Sequence, residues 1–545
     1  MVKRIPIGVD DFKKIRSDNY FYIDKTKFIE EIINDDAEVQ LFTRPRRFGK
    51  SLNLSMLKSF FDIRECIENR NLFDGLYIKD SPVFVEQGTC PVIFISFKGL
   101  IADTIEELVD ALTLKISNQF SQYRDLISSL DRFDAIVFEK FILRQDISHA
   151  EVKESLLILS QILYRYYKRK VVVLIDEYDA PLIHAYARGY YTDAITLFKT
   201  LYGNVLKGNS STLKMGVLTG AIRVAQAGIF SDLNNIKINT ILNKDFDEYF
   251  GLSQDEVENA LKAFKLDYQI EEVREWYNGY RFGTVHVYNP WSIVNYIGQN
   301  ELKPYWVNTS GNILIKELLQ HSDETVFNQL DNMVKGQDKT VYINESIALG
   351  NNLNPNSLWE LLLFSGYLTV KERVDPESYL VKIPNKEIRS FFKSLFADIV
   401  FDGSNNIASI KDALQSKDIR TIISILEKVV LNALSFYDTS KNIENPYQTL
   451  LSGFLYALDN YYNIKPNQES GYGRADIILV PRNKTWPGYI LELKRAKTNN
   501  LEKEADMALE QINNKSYDAL LISEGIKTIV KIGLVFDGKR TAASY

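Results

Sequence analysis

The stretch from Val39 to Phe61 places the strongest constraint on how this chain can fold. It opens with an apolar, β-branched run that predicts a buried strand, continues as a basic turn, and then reads Gly49, Lys50, Ser51. Apolar residues at helical spacing follow, at Leu54, Leu57, Phe60 and Phe61. A strand, a loop ending in Gly-Lys-Ser and a helix form the context in which main-chain N–H groups and a helix N-terminus bind phosphate.

In such a loop Lys50 would contact the β- and γ-phosphates of a nucleotide, and the hydroxyl of Ser51 would bind Mg²⁺. The other residues of the turn are also candidate nucleotide contacts: Arg46, Arg47, Phe48 and Gly49. The usual motif has a glycine five residues before Gly49, where this chain has Arg44. A basic surface turn that caps a helix would give a similar pattern, so a second feature is needed.

The second feature is the segment from Lys170 to Pro181, KVVVLIDEYDAP. Its continuous apolar run predicts a strand buried on both faces of a parallel sheet. Asp176 and Glu177 follow at the carboxyl end, where open α/β sheets bind ligands. One carboxylate there can hold the Mg²⁺ shell, and the next can orient or deprotonate an attacking water. An acidic helix N-terminus would look similar, but the two segments together predict a nucleotide site.

Three further features extend this prediction. Apolar runs at Pro91 to Phe97 and Leu213 to Arg223 predict two more strands, and helical patterns between the strands indicate an α/β parallel sheet. Thr219 ends one strand, where a polar residue can stand between the acidic strand and the phosphate loop, although it also fits a turn before Gly220. Arg223 could reach phosphate or form a surface ion pair, and both interpretations stay open.

Aromatic motifs surround the predicted core. The segments Glu275 to Gly283 and Val287 to Ile297 predict a packed turn and a helical lid beside the nucleotide, or a structural aromatic corner. The segment before residue 35 predicts a short strand at Tyr20 to Ile23 and a helix capped by Asp24 or Thr26. It either packs over the nucleotide base or only caps that helix. Residues 305–437 read as mainly helical, with a strand-like piece at Ser378 to Ile383.

The composition limits the class of protein. A chain of 545 residues with 45% hydrophobic content allows three or four domains. The net charge of −6 means that any contact with nucleic acid must use local basic patches. Two cysteines, Cys66 and Cys90, fit a reducing cytoplasm and exclude a disulfide framework. No apolar run approaches the length of a membrane span, so no membrane partner is expected.

A second charged constellation lies near the C-terminus. Asp476 lies in a predicted strand (471–480), and Glu492 and Lys494 lie two apart, hence on one face, in the next predicted strand (489–494). A hairpin would bring the three side chains together. Two carboxylates can hold Mg²⁺, which lowers the pKa of a bound water, and the lysine can stabilise transition-state charge. A sheet with ordinary surface charges would give the same spacing. Lys494, Arg495 and Lys497 form a local basic patch.

Both halves resemble known families. The segments PIGVDDF, YIDKT, LFTRPRRFGKS, LIDEYD and YNPW resemble a bacterial family of AAA-ATPase-like proteins, in which arginine commonly replaces the first loop glycine. The C-terminal region resembles the PD-(D/E)XK nuclease-like domain that often follows. This resemblance implies a nucleotide site at Lys50, Ser51, Asp176 and Glu177, and a nuclease site at Asp476, Glu492 and Lys494. It further implies an additional acid at Glu444 or Glu469, and a supporting helix motif at Gln511 and Tyr517.

The expected fold is α/β. A P-loop parallel-sheet ATPase core (1–245) precedes a helical lid (246–300), a mainly helical connector (301–442) and a small restriction-endonuclease-like α/β domain (443–545). The expected function is ATP and Mg²⁺ binding with ATP hydrolysis, which controls a metal-dependent cut in nucleic acid. The alternative is a nucleotide-gated binding or signalling module whose nuclease-like domain does not cleave. Oligomerisation is compatible with either function.

Overall fold

The computed structural model describes residues 4–224, 235–307, 319, 324–345, 355–401, 404–436, 451, 454–455, 458–459, 461–537 and 540–545. The sequence of residues 445–462 predicts an amphipathic helix, and most of that segment, like Glu444, lies outside these residues. The chain divides into two compact units. The first comprises Met1–Leu314 with Gly336–Ile388, and the second comprises Ile315–Lys335 with Arg389–Tyr545.

The first unit is built on a parallel sheet of five strands in the order β2-β3-β4-β1-β5. Every pairing is parallel, and all residues of β1 and β3 are buried. The parallel α/β core is therefore confirmed, whereas β5 was not predicted. The strands are β1 (Val39–Thr43), β2 (Val92–Ser96), β3 (Val171–Asp176), β4 (Leu213–Gly220) and β5 (Ile236–Asn239).

Helices precede, connect and follow these strands, and four of them begin with a side-chain cap at the threonine, aspartate or serine just before the helix. The helical patterns between the strands predict helices at about 104–123, 150–169 and 191–206, and all three are confirmed to within a few residues. Short 3₁₀ turns occupy Ile63–Glu65, Asn71–Phe73, Tyr77–Asp80, Pro82–Glu86 and Arg124–Ser129. The helices are α1 (Phe12–Ser17), α2 (Lys27–Asn34), α3 (Lys50–Phe61), α4 (Cys66–Arg70), α5 (Ile105–Ser121), α6 (Arg132–Leu143), α7 (His149–Tyr167), α8 (Ala180–Arg188) and α9 (Tyr191–Leu206).

One prediction near the N-terminus is wrong. Residues Tyr20 to Ile23 form no strand, because only Tyr20 makes a bridge, to Arg4. The Asp24 carboxylate accepts hydrogen bonds from the main-chain N–H and the hydroxyl of Thr26, so it orders the turn before α2.

The predicted lid forms a compact cluster of its own. Aromatic and aliphatic side chains of three helices, and of the segment just before the third, pack against one another, among them Tyr277, Tyr288, Ile293 and Tyr296. A 3₁₀ turn at Asp267–Gln269 precedes the second helix, and a two-stranded hairpin follows it. The elements are α10 (Gln254–Ala263), α11 (Ile270–Tyr277), β6 (Tyr280–Phe282), β7 (Val285–Val287) and α12 (Pro290–Gln299).

The region expected to be mainly helical also contains a sheet. An antiparallel sheet in the order β8-β10-β9 lies there, and only β10 was predicted. The strands missed are short and charged, so their alternation of apolar and polar residues is weak. The elements are α13 (Glu324–Val334), β8 (Lys339–Tyr342), α14 (Pro355–Phe364), β9 (Thr369–Arg373), β10 (Ser378–Lys382), α15 (Lys386–Phe401), α16 (Ser404–Ser416) and α17 (Ile419–Phe436).

The second unit ends in a five-stranded sheet with the order β11-β12-β13-β14-β15. The predicted strands at 471–480 and 489–494 are confirmed, and so is a third that the run IVKIGLVF (529–536) predicts, whereas the two outer strands were missed. The sequence from Leu501 to about Ala519 predicts one helix, but the structure has two shorter helices there. The elements are β11 (Tyr462–Ser470), β12 (Gly473–Pro481), β13 (Gly488–Arg495), α18 (Leu501–Asn514), α19 (Ala519–Ser523), β14 (Ile529–Asp537) and β15 (Arg540–Ser544). Within the described residues, the helices are all too short or too polar to cross a lipid bilayer.

Candidate nucleotide site and candidate nuclease site

The loop Arg44–Gly49, here called the phosphate loop, joins β1 to α3 at the carboxyl edge of the parallel sheet. Gly49 precedes the helix with φ of 84°, a conformation that suits glycine. Lys50 is the first helical residue, and its ammonium donates 2.8 Å hydrogen bonds to the carbonyls of Arg44 and Pro45. Burial lowers the pKa of Lys50 to about 8, against the opposing charges of nearby carboxylates. The amine is thus held inside the loop.

Asp176 lies at the end of β3, and its carboxylate accepts hydrogen bonds from hydroxyl groups of three other elements. One carboxylate oxygen accepts a 2.8 Å hydrogen bond from Ser51, and the other accepts a 2.7 Å bond from Thr219. Ser96, at the end of β2, donates to the first oxygen at 3.3 Å. The structure therefore brings together three of the predicted residues. Ser96 was missed, although its place at the end of the apolar run PVIFISF was a usable signal.

Glu177 follows Asp176 and is only half-buried. Its backbone has φ of 52°, a left-handed conformation that is unusual for a residue with a side chain. Burial, and then the charge of Asp176, raise the pKa of Glu177, while Lys50 and Arg46 oppose that shift. The Glu177 carboxylate therefore lies within the electrostatic reach of both Asp176 and Lys50. Arg223 lies beyond β4, near Tyr178.

Arg44, which replaces the first glycine of the usual motif, is buried beneath the loop. Its guanidinium donates to the carbonyls of Thr43 at 2.9 Å and Asn239 at 2.7 Å. It also lies over the rings of Phe250 and Phe282, at 5.0 and 5.5 Å from their centroids. Burial lowers the pKa of Arg44 to about 9. Arg44 therefore ties the base of the loop to β5 and to the hairpin β6–β7.

The remaining loop residues differ in where their side chains lie. Phe48 is fully buried, with its ring 5.0 Å from that of Tyr280, so it remains a candidate contact only through its main chain. The Arg46 and Arg47 side chains are exposed. The Arg47 guanidinium lies 4.1 Å from the Trp291 ring centroid. The two aromatic motifs of the sequence thus support the phosphate loop directly.

An apolar cavity of about 100 Å³ lies beside the loop within the first unit. Its walls come from the N-terminal segment, the start of α3 and the lid. Representative lining residues are Ile5, Phe21, Gly49, Leu52, Leu252 and Ile293. A flat apolar ligand group that entered this cavity would lie next to the N-terminus of α3.

The second constellation lies on the antiparallel pair β12–β13, whose register places Ile477 opposite Leu491. Asp476 therefore lies beside Glu492, and one Asp476 oxygen accepts a 2.8 Å hydrogen bond from the main-chain N–H of Leu493. The ammonium of Lys494 lies 2.7 Å from a Glu492 oxygen. The hairpin prediction is correct, and all three side chains meet.

Gln511 on α18 completes the surroundings of Glu492. Its amide donates to the same Glu492 oxygen at 2.5 Å and to the hydroxyl of Tyr517 at 3.2 Å. The second oxygen of Glu492 is buried and has no hydrogen-bond partner among the described residues. Burial, and then the charge of Asp476, raise the pKa of Glu492. A buried oxygen without a partner, next to a second carboxylate, fits a divalent cation.

Of the two candidates for the additional acid, Glu444 lies outside the described residues, and Glu469 is not part of this pair. Glu469 lies on β11, is 83% exposed, and is 3.9 Å from Arg474. The part of the chain that the structure describes contains no group of three or more acidic, histidine or cysteine side chains placed to hold a metal. Lys494 is partly exposed, and Arg495 and Lys497 are exposed, as a basic patch requires.

A parallel sheet with a phosphate loop at its carboxyl edge, and a separate sheet with a carboxylate–lysine hairpin, define a P-loop ATPase core with a nuclease-like domain. Residues 6–230 match the family model described as "Predicted AAA-ATPase", and residues 442–544 match that of the PD-(D/E)XK nuclease superfamily. Both resemblances are confirmed. A relative described as "Uncharacterized protein in vnfD 5'region", from Azotobacter chroococcum mcd 1, is 28% identical over 395 residues, covering 71% of this chain and 69% of that protein.

Proposed function

We propose that the first unit binds and hydrolyses ATP with Mg²⁺, and that this cycle controls a metal-dependent cut in nucleic acid by the C-terminal domain. One observation carries the ATPase proposal. The Ser51 hydroxyl and the Asp176 carboxylate meet at 2.8 Å beside a loop that encloses the Lys50 ammonium. A site that binds phosphate together with Mg²⁺ requires these three groups: a hydroxyl and a carboxylate for the metal ion, and an ammonium for the phosphate.

Each residue then has a distinct role. Lys50 and the loop N–H groups bind the β- and γ-phosphates, and the exposed Arg46 side chain is placed to add a positive charge. Ser51 and Asp176 would hold Mg²⁺, which would supply positive charge beside the phosphates. Thr219 and Ser96 orient the Asp176 carboxylate. Glu177 positions or deprotonates the water, and its raised pKa suits a base.

The apolar cavity beside Gly49 is the proposed site of the adenine ring. It adjoins the N-terminus of α3, where the phosphates would bind, and its walls are largely apolar. This assignment gives a role to the N-terminal segment and to the lid, which supply most of its wall.

In the C-terminal domain, Asp476 and Glu492 are the proposed metal ligands. A bound Mg²⁺ would supply a water of lowered pKa for attack on a phosphodiester. Lys494 stabilises charge at the reacting phosphate, and Gln511 fixes the orientation of Glu492. The patch of Lys494, Arg495 and Lys497 binds the nucleic-acid backbone.

The test is one set of assays on the purified full chain. ATP turnover is measured with and without DNA and RNA, and cleavage of single- and double-stranded DNA and RNA is measured with and without ATP. The proposal predicts Mg²⁺-dependent ATP turnover and metal-dependent cleavage. The rival, a nucleotide-gated binding module, is favoured by the pairing of only two carboxylates among the described residues. ATP turnover without cleavage under any condition would select the rival.

A further inference from the structure

The phosphate loop is held from its outer side by a chain of hydrogen bonds that the sequence did not reveal. The indole N–H of Trp306 donates to the carbonyl of Arg46 at 3.0 Å. The main-chain N–H of Trp306 donates to a carboxylate oxygen of Glu387 at 2.6 Å, and the other oxygen accepts from the Ser292 hydroxyl at 2.8 Å. The loop is thus connected to the start of α12 and to the start of α15.

The residues that form this series of hydrogen bonds have little freedom to move. Trp306 is 2% exposed and Glu387 is fully buried. The Trp306 ring packs against Tyr367, with centroids 5.1 Å apart. Gly366, with φ of 88°, lies so close to the loop that a Cβ there would be 2.8 Å from the Cβ of Pro45. A larger residue at position 366 would push the loop out of place.

Burying the Glu387 carboxylate costs the fold free energy. Burial raises the pKa of Glu387 to about 7, although its hydrogen bonds to Trp306 and Ser292 oppose the shift. Desolvating a carboxylate costs more than placing an apolar side chain at the same position. The hydrogen bonds to Trp306 and Ser292 offset this cost only in part. A carboxylate is therefore a poor choice for packing alone, which indicates that its hydrogen bonds have a further role.

We propose that Trp306 and Glu387 are positioning residues for the nucleotide site. Glu387 fixes Trp306, and Trp306 fixes the main chain at Arg46, so the loop N–H groups point inward before phosphate arrives. A loop ordered in advance loses less conformational entropy on binding. This inference rests on the proposed ATP-binding function and adds residues from well outside the phosphate-loop motif to that site.

The experiment compares MgATP affinity, by titration calorimetry, across matched variants of the full chain. Trp306→Phe keeps an aromatic ring against Tyr367 and removes the N–H. Glu387→Ala removes both acceptors, whereas Glu387→Gln keeps one. The controls are Trp359→Phe and Glu360→Gln, which change neighbouring buried residues of α14 whose described partners are Lys339 and Asn344.

Affinity should fall about tenfold in Trp306→Phe, as expected for loss of one buried hydrogen bond, and at least as much in Glu387→Ala, which removes the acceptors of two. Glu387→Gln should retain most of the affinity, and both controls should bind as the parent does. Hydrogen exchange of the loop amides should become faster in Trp306→Phe and stay unchanged in Trp359→Phe, which separates loop positioning from general stability.

Two results are decisive against the proposal. If the parent binds MgATP and Trp306→Phe binds equally tightly with unchanged loop exchange, the positioning role is wrong and the ATP site stands. If the parent binds no MgATP, the proposed function and this inference fail together. Should Glu387→Ala not fold, the comparison of Trp306→Phe with Trp359→Phe decides alone.

Discussion

The hydroxyl of Ser51 lies 2.8 Å from a carboxylate oxygen of Asp176, although 125 residues separate them in the chain. Thr219 holds the other oxygen of the same carboxylate at 2.7 Å. The two contacts fix both oxygens of Asp176 at the edge where β1, β3 and β4 end. A cation bound by Ser51 and Asp176 would therefore find its ligands already oriented.

This geometry predicts how Asp176→Asn behaves. The amide keeps the shape of the side chain, accepts from one hydroxyl through its oxygen and can donate to the other through its NH2 group, but it removes the negative charge that a divalent cation needs. Mg²⁺ should then no longer strengthen ATP binding, whereas ATP binding in a chelator should change little. Titrations with and without Mg²⁺ measure this difference, and Asp110→Asn on the exposed face of α5 is the control. An unchanged Mg²⁺ dependence would remove Asp176 from the metal site.

The depressed pKa of Lys50 predicts a pH dependence of ATP affinity. Burial lowers this pKa to about 8, and phosphate oxygens beside the ammonium would raise it in the complex. Below that pH the lysine is charged in both states, so its contribution to affinity is constant. Above it, binding must take up a proton, and affinity should fall by up to about tenfold per pH unit.

Lys50→Arg should lose this dependence, because arginine stays charged across the same range. Binding constants from about pH 7 to about pH 9 test both proteins. A parent protein whose affinity stays flat over that range would show that Lys50 does not change its protonation on binding.

Glu177→Gln should separate ATP binding from hydrolysis. The amide cannot accept the proton of the attacking water, so turnover should fall about 100- to 10,000-fold while MgATP affinity stays within a few-fold of the parent. Steady-state turnover and equilibrium binding together measure this. Glu38→Gln, at the opposite edge of the same sheet, should keep both properties. Parent-like turnover in Glu177→Gln would mean that another group activates the water.

The C-terminal site gives a prediction that distinguishes two residues. Asp476→Ala should weaken Mn²⁺ binding and abolish cleavage, because it removes a ligand. Lys494→Ala should abolish cleavage but leave Mn²⁺ binding largely intact, because a protonated lysine has no lone pair for a metal. Calorimetry with Mn²⁺ and a cleavage assay measure the two properties, with Asp506→Ala on α18 as the control. Equal loss of metal binding in both variants would contradict these separate roles.

Sequence reasoning succeeded where the signal lies in consecutive residues. The phosphate loop and the acidic strand each combine an apolar run with polar residues at its end, so both could be placed on the edge of a parallel sheet. The hairpin of Asp476 and Glu492 followed from the same kind of pattern. The strands in these runs pair either with the next strand along the chain or within a parallel sheet, whose carboxyl ends share one edge. Few other arrangements of the site residues were therefore possible.

The missed features depend on contacts between distant segments. Trp306 and Glu387 support a loop 260 or more residues earlier, and neither lies in a recognisable motif. Arg44 reads as a basic loop residue, yet its side chain is buried against β5, a strand that the sequence did not predict. The outer strands β11 and β15 carry mixed polar residues, so their alternation was too weak to detect.

The central claim is that the phosphate loop binds ATP through Lys50, and the affinity of Lys50→Ala tests it most directly. The full chain is titrated with MgATP beside Lys50→Ala and beside Lys58→Ala, which changes another lysine of α3 that lies over the ring of Phe94. The parent and Lys58→Ala should bind alike, and Lys50→Ala should bind at least about 100-fold more weakly while keeping its circular dichroism spectrum. Equal MgATP affinity in a folded Lys50→Ala protein would contradict the account.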